Sequence, residues 1–117
     1  MKRTRAGTLA LLASTLLLLS GCGSARRGEP LRGTLAITHP QVAAGERVYM
    51  VKCQQCHPGG EGGLGPAINN KPLPGWLIKF QVRNGLGTMP AFSSAEIPAP
   101  ELDALVDYLQ TLRRHGT

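Results

Sequence analysis

Cys53, Cys56 and His57 lie in the stretch CQQCHPGG, residues 53 to 60, two thiols three positions apart with an imidazole directly behind the second. Three chemistries use such a corner: a structural zinc site, a redox dithiol, or a thioether tether for a haem. A structural zinc ion takes four Cys or His ligands, usually as two pairs. Here there is one pair, with His39 and His115 standing singly near the two ends of the same region. A thioredoxin-like dithiol needs a preceding strand in a βαβ context, whereas this pair ends a helical pattern in a chain with no strand-like alternation of any length. C-x-x-C-H is the attachment signature of c-type haem. The spacing has a chemical reason: the thiols of Cys53 and Cys56 can add across the two vinyl groups of one porphyrin edge. His57 then lies beneath the ring with an imidazole nitrogen for the iron.

The elements that must position this corner are helices. HPQVAAGERVYMVKCQQCH places Pro40 where a first-turn proline is tolerated, and Val42, Gly45, Val48, Tyr49 and Lys52 or Cys53 follow at helical spacing. A second, short helix is predicted in PGWLIKFQVRNG, with Trp76, Leu77 and Phe80 on one side and a glycine placed for a left-handed cap. The third, APELDALVDYLQTLRRHG, carries Leu102, Leu105, Val106, Leu109 and Leu112 on one face. Its acids Glu101 and Asp103 come early and Arg113 and Arg114 late, matching the helix dipole. The expected fold class is all-α, about three main helices packed around one covalent haem.

The N-terminus reads differently. MKRTRAGTLALLASTLLLLSGC opens with Lys2, Arg3 and Arg5 and runs through leucines to small residues before Cys22, the pattern of an export signal. Its apolar run is short of the roughly 20 residues that a membrane helix needs. The LSGC box resembles the signal of bacterial lipoproteins, in which the cysteine becomes the lipid-bearing N-terminus. That resemblance implies lipidation at Cys22, and two or three acyl chains anchor a protein firmly.

The expected organisation is a signal peptide over 1–21, a lipid-anchored linker over 22–38 and one domain over 39–117. The Gly, Pro and Arg of GSARRGEPLRGTLAIT have no helical period; as a coil, sixteen residues span roughly 20–25 Å. TLAI within it could form a short strand or pack on the domain. Arg26, Arg27 and Arg32 could touch anionic headgroups or serve as a solvated linker.

The formal net charge of the 117 residues is +6, but three of the 13 Lys and Arg precede Cys22. Ten then face seven acids, a formal +3 that two haem propionates would nearly neutralise, so a nucleic-acid partner is not indicated. A domain of this size buries little surface and needs a staple. With Cys22 acylated, only Cys53 and Cys56 remain, which leaves no disulfide framework. Covering roughly 500 Å² of porphyrin would contribute on the order of 10 kcal/mol, so the apoprotein is expected to be largely unfolded.

Two further stretches, GGLGPAI at 62–68 and VRNGLGTMPAF at 82–92, complete a pattern. With CQQCH, and with Gly45 and Tyr49 against Leu105 and Tyr108, residues 40 to 114 resemble the single-haem class I cytochromes c. The resemblance implies that the Pro66 carbonyl accepts a hydrogen bond from His57, that Met89 is the second axial ligand, and that the first and last helices cross at a small–aromatic contact. Elimination also reaches Met89, because Met1 leaves with the signal and Met50 lies one turn before Cys53 on the proximal side. His39 or His115 is the rival distal ligand. Trp76 and Arg83 could reach a propionate, as in some relatives, or serve as core and surface residues. Pro58 departs from the family, where Gly or a polar residue is common, and leaves the path of the proximal loop open.

The function so implied is a membrane-tethered one-electron carrier with haem c, exported and held on the periplasmic or extracytoplasmic side, and not an enzyme. Its implied partners are redox proteins: a terminal oxidase, a quinol-oxidising complex or a dehydrogenase. The alternative is a haem protein whose displaceable Met89 makes it a small-gas sensor or weak peroxidase.

Overall fold

The computed structural model describes residues 34–116. The expected signal, Cys22 and most of the linker lie outside the described residues. Three helices follow one another: α1, Pro40–Lys52; α2, Gly75–Asn84; and α3, Ala99–Gly116. The described residues contain no strand, and the fold class is all-α, as the cytochrome c resemblance implies.

Helix α1 starts where proline tolerates it, with Pro40 in the first turn and His39 as the cap, whose Nδ1 accepts from the Gln41 N–H at 3.3 Å. It ends at Cys53, whose N–H still reaches the Tyr49 carbonyl at 2.8 Å. Only Gly45 and Tyr49 of this helix are buried. They face α3. A Cβ built on Gly45 would lie 1.9 Å from the Ala104 carbonyl oxygen and 2.9 Å from Tyr108 Cβ, so the two backbones touch. One turn on, the rings of Tyr49 and Tyr108 pack with centroids 5.1 Å apart and planes tilted by 49°, an edge-leaning arrangement that aromatic pairs favour.

Helix α3 is the spine of the core. Leu102, Leu105, Val106, Tyr108 and Leu112 are all buried, as its apolar spacing requires. Ile97, just before the helix, and Val82 of α2 complete the cluster around Tyr49. TLAI forms no strand; its Leu35 and Ile37 pack half-buried against this core, while Thr34 and Ala36 stay exposed.

Helix α2 turns a different face inward from the one its aromatics mark. Ile78 and Val82, four apart, pack on the core, while Trp76 is 68% and Phe80 58% exposed. Gly85 follows the helix with φ 67° and ψ 179°. That is not the left-handed cap the sequence suggests but a positive-φ extended conformation open essentially to glycine alone. It sends the chain back across the end of α2.

Candidate functional site

Cys53, Cys56 and His57 come together in one tight turn at the end of α1, where the N–H groups of Cys56 and His57 both reach the Cys53 carbonyl, at 3.1 and 2.9 Å. Both thiols are free and half-buried. Burial, with Cys56 nearby, pushes the Cys53 thiol up to about 11. A redox dithiol needs the opposite shift, toward a thiolate at neutral pH, so Cys53 is not poised for exchange. Among the described residues, no group of three or more Cys, His, Asp or Glu side chains is placed to hold a metal ion.

His57 is fixed from several directions. Its Nδ1 lies 2.7 Å from the Pro66 carbonyl oxygen. Only an N–H can face a carbonyl at that distance, so the lone pair resides on Nε2, the tautomer a metal ligand requires. Gly65 lies flat against the ring: a Cβ there would stand 2.3 Å from His57 Cε1. The main chain of His57 is held by Tyr49, whose hydroxyl donates to the His57 carbonyl and accepts from the Gly60 N–H at 2.7 Å.

Pro58 sets the path of the loop, which the sequence leaves open. It begins a 3-10 turn, Pro58–Gly60, in which Gly59 and Gly60 have positive φ of 61° and 80°. The Gly65 N–H then returns to the Cys56 carbonyl at 2.9 Å and brings Pro66 to the ring.

Met89 lies in the return loop after α2, half-buried and packed against the core. Leu86 and Met89 exchange both main-chain hydrogen bonds, at 3.1 and 3.0 Å. The Gln81 Nε2 stands 3.9 Å from the Met89 sulfur. The loop closes tightly over Gly85, where a Cβ would meet the Met89 carbonyl oxygen at 2.5 Å.

The remaining candidates have contacts of their own. Trp76 lines an open cleft of about 500 Å³ with Lys79, Phe80 and Leu102, a cleft that includes none of Cys53, Cys56, His57 or Met89. Arg83 is engaged by the main chain, its Nη1 donating to the Phe92 and Ser93 carbonyls at 3.1 and 2.9 Å. His39 caps the far end of α1, about 20 Å from Cys53 along thirteen residues of helix. His115 sits in the last turn of α3. Sequence reasoning passed over Gln81 and the Tyr49 hydroxyl; the only signal for Gln81 was a polar residue one turn before the end of a half-buried helix.

The residues present fit a covalent haem. Two free thiols and a histidine with Nε2 available share one turn. Leu64, next to the glycine that lies against the His57 ring, is 80% exposed, and Leu86, paired with Met89, is 75% exposed. A flat apolar group would give each leucine a covering.

The family model described as cytochrome c oxidase, cbb3-type, subunit III matches residues 40–109, which span all of α1 and α2 and most of α3. The cytochrome c subunit of 4-cresol dehydrogenase [hydroxylating] from Pseudomonas putida is 36% identical over 72 residues, 62% of this chain. The chain spans 63% of that protein's length. The chloroplastic cytochrome c6 of Chlamydomonas reinhardtii is 28% identical over 114 residues, covering 75% of this chain and 76% of that one. With Cys53, Cys56 and His57 arranged as its attachment motif, the chain belongs to the cytochrome c family, as a single-haem class I member with a covalently bound c-type haem.

Proposed function

We propose that this chain is a one-electron carrier whose iron is held between His57 Nε2 and the Met89 sulfur, tethered to a bacterial membrane through lipid on Cys22. When bound, the haem supplies an iron that accepts and returns a single electron. The chain's residues do the rest. Cys53 and Cys56 hold the ring edge, the Pro66 carbonyl orients His57 and enriches its imidazole, and the loop from Gly85 to Phe92 keeps the thioether in place and water out. With His57 and Met89 both holding the iron, the protein would leave no position for a substrate. Electron transfer would then need little rearrangement, and the thioether would favour the ferrous state.

The observation that carries this reading is the 2.7 Å contact between His57 Nδ1 and the Pro66 carbonyl, because it leaves Nε2 as the ligating atom. Met89 is supported as its counterpart by position: Met50 is exposed on α1, and His39 is occupied as a cap at that helix's far end. The similarity to an oxidase subunit family and to a dehydrogenase cytochrome subunit favours redox proteins as partners: a terminal oxidase, a quinol-oxidising complex or a dehydrogenase.

The organisation we propose is a signal over 1–21, a lipidated linker beginning at Cys22 and a domain on the periplasmic or extracytoplasmic side. A tether raises the local concentration of the carrier at membrane-bound partners. Optical spectra test the ligation. The ferric holoprotein should show the long-wavelength Met–iron charge-transfer band, and the ferrous form should not take up carbon monoxide readily. Met89→Ala should abolish the band and open the iron to carbon monoxide. Ligation that survives this substitution would give the distal place to another residue, and ready carbon monoxide binding by the wild type would favour the gas-sensing alternative.

A further inference from the structure

We propose that Arg83 is a positioning residue: its guanidinium latches the loop that carries Met89 and so sets how readily the thioether leaves the iron. This rests on the reading of Met89 as distal ligand and adds what keeps it there. Arg83 stands in the last turn of α2. Its Nη1 donates to two successive carbonyls beyond Met89, Phe92 at 3.1 Å and Ser93 at 2.9 Å. The Phe92 N–H returns a bond to the Val82 carbonyl at 2.9 Å, so this segment is docked on the helix end from both sides.

The near end of the loop needs no latch. It is continuous with α2 through Gly85, whose backbone packs against Met89, Pro90 and Ala91 closely enough that a Cβ would stand within 2.5 to 2.9 Å of all three. For the sulfur to swing away, the far attachment at Phe92 and Ser93 is the one that has to open. Hydrogen bonds from a cation are stronger than neutral ones, and two of the bonds at that attachment come from Arg83. Without them, the Phe92–Val82 main-chain bond remains.

The test is a titration of the ferric holoprotein with imidazole, a small ligand that reaches the iron when Met89 is displaced, followed by loss of the Met–iron band. Arg83→Gln should bind imidazole about tenfold more tightly than wild type, the factor expected when one or two charge-assisted bonds are lost from the closed loop. Arg83→Lys, which keeps the charge on a single-headed donor, should fall between. Arg113→Gln is the control. Arg113 Nη1 likewise holds main-chain carbonyls, those of Lys71 and Leu73 at 3.2 and 3.5 Å, but on a different loop. Its loss should leave imidazole affinity at the wild-type value even if the protein melts earlier. Should Arg83→Gln fail to accumulate with haem, Arg83→Lys is read in its place, again with tighter binding expected. Unchanged affinity in the Arg83 variants, or an equal rise in Arg113→Gln, overturns the proposal. A wild-type protein without the Met–iron band overturns the Met89 reading instead.

Discussion

The Tyr49 hydroxyl donates to the His57 carbonyl and is itself met by the Gly60 N–H at 2.7 Å, so one buried phenol on α1 ties down both sides of the turn that carries His57. Phenylalanine at this place keeps the ring packed on Tyr108 but removes both bonds of the hydroxyl, leaving the His57 carbonyl and the Gly60 N–H only the 3.0 Å bond between them. Each such bond contributes about 1 kcal/mol net. Tyr49→Phe should therefore destabilise the holoprotein by about 2 kcal/mol, read as a lower denaturation midpoint at unchanged slope.

The same phenol gives stability an alkaline limit. Burial raises the Tyr49 ionisation above that of an ordinary tyrosine, and burial together with Glu46 does the same to Tyr108. Both groups are protonated in the folded and unfolded chain below about pH 10, so their contribution is then fully present. Above that, the unfolded chain ionises first and is stabilised, and folding stability falls as pH rises toward the folded-state values. Denaturant midpoints measured from pH 8 to 11 should decline only in the upper part of that range, and Tyr49→Phe should make the decline shallower.

Gly45 tests the helix crossing. An added methyl would meet the Ala104 carbonyl oxygen at 1.9 Å, a backbone atom that cannot swing aside. Overpacking of this kind costs typically 1–3 kcal/mol and sometimes more. Gly45→Ala should cost about 3 kcal/mol and Gly45→Val should prevent accumulation of folded holoprotein, whereas the neighbouring, half-buried Ala44→Gly should cost only about 1 kcal/mol.

Much of this was legible in the sequence wherever a repeat or a steric limit was involved. The apolar spacing of α3 announced Leu102, Leu105 and Leu112 as core, Pro40 announced a helix start, and the Gly45–Tyr49 pair announced the crossing. Tyr108 as a neighbour of Gly45 was legible through the resemblance; the closer contact, the main chain at Ala104, was not, because a backbone contact leaves no mark on residue type. Which apolar stripe of α2 meets the core was not legible either: Ile78 and Val82 pack on the cluster, while Trp76 and Phe80 face outward. The bonds of Arg83 and of the His39 cap join polar groups that many surface residues could equally supply, so only the folded chain identifies them.

With Met89 as the proposed ligand, Gln81 should bear on the redox equilibrium. Its Nε2 stands 3.9 Å from the Met89 sulfur, within reach of a weak hydrogen bond. A donor at sulfur draws electron density from the thioether and favours the reduced state. Gln81→Leu keeps the volume and removes the donor. Losing about 0.5–1 kcal/mol of preference for the ferrous form corresponds to roughly 20–40 mV for one electron. The midpoint potential should fall by that amount in a redox titration with the Met–iron band retained; an unchanged or raised potential would show that the amide does not act on the sulfur.

Gly65 offers the sharpest separation of haem ligation from fold. The residue lies outside the helices and away from the Tyr49–Tyr108 contact, yet a Cβ on it would stand 2.3 Å from His57 Cε1 and 2.8 Å from Nε2, inside contact distance on the ring itself. Its φ is not among the positive ones, so an alanine suits the backbone and the whole penalty falls on the imidazole. Either the ring tilts, which stretches the 2.7 Å bond from Nδ1 to the Pro66 carbonyl, or the loop from Gly63 to Pro66 moves away and breaks the Gly65–Cys56 main-chain bond. Both outcomes misdirect Nε2. Gly65→Ala should therefore give a protein in which α1 and α3 still cross but axial histidine ligation is weakened, seen as a shifted ferric Soret band and high-spin character at neutral pH. The Gly59→Ala variant makes the comparison fair: an added methyl at Gly59 meets nothing within 4 Å, but its φ of 61° strains an alanine. It should lose stability while keeping the wild-type spectrum, which separates damage to the loop from damage to the ligand.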